Sequence, residues 1–147
     1  MSAPRIVIAL AAMNAMRTVP DTLEAIQGLD GIRASVRAID NGSTDATGTL
    51  LQTVPGIGVV HNPSPRTPGI VRNQLLRYAE AALHEVDPSK AYILLIGADI
   101  VPTPRTVELL TAALDNDPQL GMVGPKVLRM FDENILDESL HERVQSD

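Results

Sequence analysis

The chain has 147 residues and a net charge of −6, and 44% of it is apolar although only Tyr78, Tyr92 and Phe131 are aromatic. That length supports one domain with an aliphatic core, and the lack of stacking rings and of clustered basic residues argues against a nucleic-acid partner. With no cysteine there is no disulfide framework, thiolate metal site or cysteine nucleophile, which suits a cytoplasmic protein.

Arg5–Ala12 (RIVIALAA) is a continuous apolar run, the pattern of a strand covered on both faces. Met1–Ala12 is too short for a membrane span and reads as a strand rather than a signal peptide. Thr18 is expected to cap a helix that starts near Val19-Pro20, buries Leu23, Ile26 and Leu29, and stops at Gly28 or Gly31. Ile32–Asp40 is the second strand. Ser43 or Asp45 then caps a helix through Leu50, Leu51 and Val54, which Pro55-Gly56 ends. Ile57–His61 is the third strand, followed by a loop at 62–68 with Pro63, Pro65, Arg66 and Pro68.

Gly69 to about Val86 has helical spacing, with Ile70, Leu75, Leu76, Ala79, Ala82 and Leu83 inward. Tyr92–Ile96 is the fourth strand, and Gly97–Pro102 is the loop at its carboxyl end. Thr103 caps a further helix with Pro104 first and Val107, Leu109, Leu110, Ala113 and Leu114 as its apolar set. Leu120–Leu128 is expected as a short edge or bent strand, interrupted by Gly124-Pro125. The alternation of strand and helix predicts an α/β fold: a mostly parallel sheet with right-handed crossovers and helices on both faces. Residues 132–147 hold six acids against one arginine, so −5 of the −6 lies in this segment and −1 in the body. Such a run reads first as a solvated face.

The turn after the first strand, Ala11-Ala12-Met13-Asn14, has none of the glycines of a dinucleotide fingerprint or of a nucleotidyltransferase loop. A P-loop motif is absent throughout, and the acids of a receiver domain are missing. Polar residues instead collect at strand ends and helix starts: Asn14, Asp40, Arg72-Asn73 and Asp99. In open α/β sheets, ligands bind at the carboxyl edge.

These segments resemble family 2 glycosyltransferases, inverting enzymes with the GT-A fold. Ile39-Asp40-Asn41-Gly42-Ser43-Thr44-Asp45 is similar to the family's V-D-[DN]-G-S-T-D. Ala11–Asn14 falls at its P-T-Y-N, Gly69–Asn73 at its G-x-x-x-R-N, Gly97–Asp99 at its D-x-D, and Leu120–Lys126 resembles its V-G-P-K strand. The resemblance runs in order from Ile6 to about Arg129. It implies a Rossmann-like GT-A domain over 1–131 that binds a nucleotide-sugar. Residues 132–147 would be the start of a missing acceptor-side half, or a tail.

The resemblance implies that Ala11, Asn14, Asp40, Asn41, Arg72, Asn73, Ala98 and Asp99 line the nucleotide-sugar site. Asp40 would accept from the base N–H. Asp99, which stands without the second acid of the D-x-D pair, would hold Mn²⁺ or Mg²⁺ against the diphosphate. Arg72 faces phosphate or ribose, or else is a solvated helix residue. Asn73 orients the loop, Arg66 is a weaker phosphate candidate, Asp45 is chiefly a helix cap, and His61 and His84 are strand-end and helix-surface residues. An inverting transferase also needs a general base. Glu133, Asp137, Glu138, Glu142 and Asp147 lie in the right region, but no motif singles one out and the catalytic base is unassigned. The implied activity is transfer from a nucleoside diphosphate sugar to a glycan, lipid or protein acceptor, in the cytoplasm or peripheral to a membrane. The alternative is a truncated or non-catalytic binding module. Self-association, or completion by another chain, follows if a missing half leaves apolar surface bare.

Overall fold

The computed structural model describes residues 5–29 and 34–128. Within them the chain runs β1 (Arg5–Ala12), α1 (Val19–Gln27), β2 (Ala34–Asp40), α2 (Thr47–Thr53), β3 (Ile57–His61), α3 (Pro68–Ala81), a 3₁₀ turn (Pro88–Lys90), β4 (Ala91–Gly97) and α4 (Pro104–Asn116). The four strands are all parallel, in the order β3-β2-β1-β4.

The continuous apolarity of β1 is explained by its central place. Val7 and Ala9 pack with Ile39 against Val71, Leu75, Ala79 and Leu83, so one face is covered by α3 and the turn after it. Leu10 and Ala12 pack with Ala38 against Val19 and Leu23 of α1 and Leu51 of α2. Ile6 and Ile8 complete that second face with Ile26, Leu29 and Val107, which brings in α4. Alternate residues of one strand thus feed opposite layers, and the helices lie three on one face and one on the other.

Several local expectations change. The third helix ends at Ala81 rather than near Val86, and turns carry the chain to the Asp87 cap of the 3₁₀ segment. Its inward residue is Val71, and Ile70 is exposed, because the buried row is set by Val71, Leu75 and Ala79 at four-residue spacing. Leu109 of α4 is likewise exposed. The Thr18 side chain does not cap α1; its hydroxyl donates to the Ala15 carbonyl at 3.4 Å. Thr103 does cap α4, accepting from the Thr106 amide at 3.2 Å.

Leu120–Leu128 forms no strand. Gly121, Gly124 and Pro125 remove side chains or a donor from a ladder, and Met122 is 83% exposed. Gly31, Ile32 and the acidic segment with its five candidate bases lie outside the described residues.

Candidate functional site

The strand registers align the carboxyl ends of the sheet. Ala12 stands opposite Asp40, Asp40 opposite His61, and Ala11 opposite Gly97. The chain adds β2 and β3 on one side of β1 and then crosses to add β4 on the other. That reversal makes β1/β4 the switch point, where such sheets open a crevice. Asn14 stands past β1 on one side of it and Asp99 past β4 on the other.

Asp40 is 0% exposed. Its Oδ1 accepts from the Ser43 amide at 3.2 Å, and His61 Nδ1 meets its Oδ2 at 2.5 Å. A buried carboxylate requires such partners. The Asp40 carboxylate thus lies beneath the edge, tying β3 and the following turn to β2. His61 is therefore more than a strand-end residue.

Asn41, 7% exposed, is turned the other way. Its Oδ1 accepts from the Arg66 amide at 3.0 Å and from Asn62 Nδ2 at 3.1 Å, while its Nδ2 donates to the Arg66 carbonyl at 3.0 Å. Gly42 sits at φ +70, and a Cβ there would fall 2.7 Å from Pro65 N, so the 62–66 loop packs directly on this turn.

Asn14 clamps the turn from the β1 side. Its Oδ1 accepts from the amides of Thr44 and Asp45 at 2.8 and 3.3 Å, and its own amide donates to Ser43 Oγ at 2.9 Å. It adopts φ 48, a conformation asparagine tolerates better than most residues. Ala15 N donates to Thr47 Oγ1 at 2.8 Å. Asp45 accepts from Thr47 N at 2.9 Å and from Met16 N at 3.3 Å. The Thr47 hydroxyl, then the Thr47 and Met16 amides, hold its carboxyl below the usual range. The N-cap of α2 is Ala46, with no side-chain cap, so neither expected residue is the cap: Asp45 braces the turn just before the helix and Ser43 serves Asn14.

The β4 side is built differently. Ala98 is buried in the layer of α1 and α2 and offers the crevice only its backbone. Asp99 is exposed, and its Oδ1 folds back over Gly97, where an added Cβ would lie 2.7 Å away. The loop's one backbone bond among the described residues is Ile100 N to Gly97 O at 3.3 Å. A single carboxylate fits a hard cation that keeps waters and takes its other ligands from substrate phosphates. Among the described residues no group of three His, Cys, Asp or Glu could hold an ion.

Arg72 and Asn73 lie on the exposed side of α3. The loop-orienting part expected of Asn73 belongs to its neighbour Gln74, which pairs with Asn62. Ala11 is half-buried against the α3 layer, and His84 is exposed. Sequence reasoning missed Asn62 and Gln74; the available signal was that Asn62 follows a strand ending level with Asp40.

Comparisons with known proteins agree with this architecture. Solved structures of S. aureus TarS 1-349 share the fold: the protein alone (TM-score 0.59, 18% identity, 77% of this chain and 32% of that one), with UDP (0.62, 18%, 76% and 32%), and with UDP-GlcNAc (0.60, 18%, 77% and 31%). The chain therefore spans about a third of the length of those structures. A search of curated proteins found no match. The sequence matches the family described as Glycosyl transferase family 2 over residues 7–142, which covers the whole of the edge just described, and the chain belongs to that family.

Proposed function

We propose that the chain is the donor side of a glycosyltransferase that binds a nucleoside diphosphate sugar across the carboxyl edge. The observation that carries this reading is the pairing, across the switch point, of a braced β1–β2–β3 edge with the exposed Asp99 carboxylate. TarS has been solved with UDP and with UDP-GlcNAc, which supports a donor of that chemical class.

In the proposed reaction an acceptor hydroxyl oxygen attacks the anomeric carbon from the face opposite the diphosphate. The carbon–oxygen bond to phosphate breaks, the electron pair leaves on the diphosphate, and the configuration inverts. The hydroxyl proton passes to a general base. Asp99 would hold Mn²⁺ or Mg²⁺ together with the diphosphate, and the ion would offset charge on the leaving group. Ala11–Asn14, Asn41 and Ala98 would present backbone and side-chain edges to the nucleotide, with Asp40 bracing them from below. Arg66, on the loop bonded to Asn41, and Arg72, in the first turns of α3, would be the candidate phosphate partners. The acceptor would be a glycan, lipid or protein, met in the cytoplasm or at a membrane surface. Among the described residues no helix is long and apolar enough to cross a membrane.

Calorimetry with UDP, GDP and dTDP, with and without Mn²⁺, tests the reading. Binding of at least one, strengthened by Mn²⁺ in wild type and not in Asp99→Ala, is expected. No binding of any of them, or an equal Mn²⁺ response in Asp99→Ala, contradicts it.

A further inference from the structure

A relay of side-chain amides runs from α3 to the carboxyl edge. Gln74 Nε2 donates to Asn62 Oδ1 at 3.0 Å, and Asn62 Nδ2 donates back to Gln74 Oε1 at 3.1 Å. The same Nδ2 donates to Asn41 Oδ1, and Asn41 brackets the Arg66 peptide by its N–H and its carbonyl. Asn62 is only 2% exposed. Buried amides bonded in series polarise one another, and a gap in the series is penalised.

The relay does not serve to dock the helix. Val71, Leu75, Ala79 and Leu83 already bury an apolar row against the sheet. What the relay adds is a fixed position for the 62–66 loop, which has no strand partner of its own. That loop follows β3, three strand spacings from β4 and hence roughly 14 Å from the Asp99 side. A nucleoside diphosphate with its phosphates at Asp99 would extend its base toward this loop.

We infer that Gln74 is a positioning residue for the donor nucleotide. Through Asn62 and Asn41 it fixes the Arg66 backbone as one wall of the subsite for the base of a nucleoside diphosphate. The inference rests on the donor-binding reading above.

The test titrates UDP, GDP and dTDP into isotope-labelled wild type, Gln74→Met, Gln74→Glu and the remote core variant Ile26→Val. It also follows hydrogen exchange at the Arg66 amide. Gln74→Met should weaken the bound nucleotide about fivefold and speed exchange at Arg66. Gln74→Glu keeps the acceptor for Asn62 Nδ2 and should fall between, which also serves if Gln74→Met does not fold. Ile26→Val should change neither readout. Unchanged Arg66 exchange in the Gln74 variants overturns the relay. Faster exchange with unchanged affinity, or an equal affinity loss in Ile26→Val, overturns the positioning role. No binding of any nucleotide by wild type overturns the donor reading itself, and this inference with it.

Discussion

The two sides of the carboxyl edge are made in opposite ways. On the β1–β2–β3 side, polar side chains are consumed by backbone groups of neighbouring loops: buried Asp40 on Ser43 and Asn41 on Arg66, and exposed Asn14 on Thr44 and Asp45. On the β4 side, Asp99 stays exposed on a loop with one weak backbone bond among the described residues. A polar anchor on that side, Tyr92 hydroxyl to Asp115, lies at the other end of β4. One side is finished by the protein, and the other is left with a charge for a ligand to complete. Substitutions on the first should therefore act on stability, and on the second on binding.

The largest expected effect is at Gly42. Alanine there would hold a Cβ at φ +70 against the Pro65 backbone, and should lower stability by about 3 kcal/mol, read by chemical denaturation. A variant as stable as wild type would mean that the two loops are not packed as a unit. Next is His61→Ala, which leaves buried Asp40 with only the Ser43 amide. A loss of about 2 kcal/mol is expected, and no loss would mean that the His61 contact does not brace this edge.

The β4 side offers a smaller, pH-dependent test. The hydrogen bond to Asp115, then partial burial and the Asp115 charge, push the Tyr92 hydroxyl up to about 12. A raised value means that the contribution is fully present below the ordinary value of 10.0 and is lost as pH rises through about 12. Because the pair is partly exposed, that contribution is under about 1 kcal/mol. Denaturation midpoints of wild type and Tyr92→Phe should converge across that window; a constant difference would contradict the contact. The smallest stability effect belongs to Asp99→Ala, within about 0.5 kcal/mol of wild type, even though it should abolish the Mn²⁺ response. A large stability loss there would erase the contrast between the two sides.

The order of elements was legible because period and punctuation are local: an unbroken apolar run for β1, Pro20 and Pro104 at helix starts, Pro55-Gly56 after α2. The edge was legible because β2 ends in an acid followed by a glycine turn. The partners of the polar residues were not. Asp40 meets His61 and Asn41 meets Asn62, each 21 positions away, and Gln74 meets Asn62 across 12. Such pairings leave no periodic trace, so a buried amide and an exposed one read alike in a sequence. Leu120–Leu128 failed for the complementary reason. Its apolar residues look strand-like locally, but a strand requires a ladder partner, and none reaches it among the described residues.

An amide-resolved titration with UDP and Mg²⁺ addresses the central claim most directly, because it reports both sides of the edge in one experiment. Saturable shifts at Asn14, Asn41, Arg66 and Asp99, with the Asp99 shift lost when Mg²⁺ is withheld, are predicted. Shifts confined to the helical faces, or none at Asp99 with the metal present, would contradict a donor site at this edge.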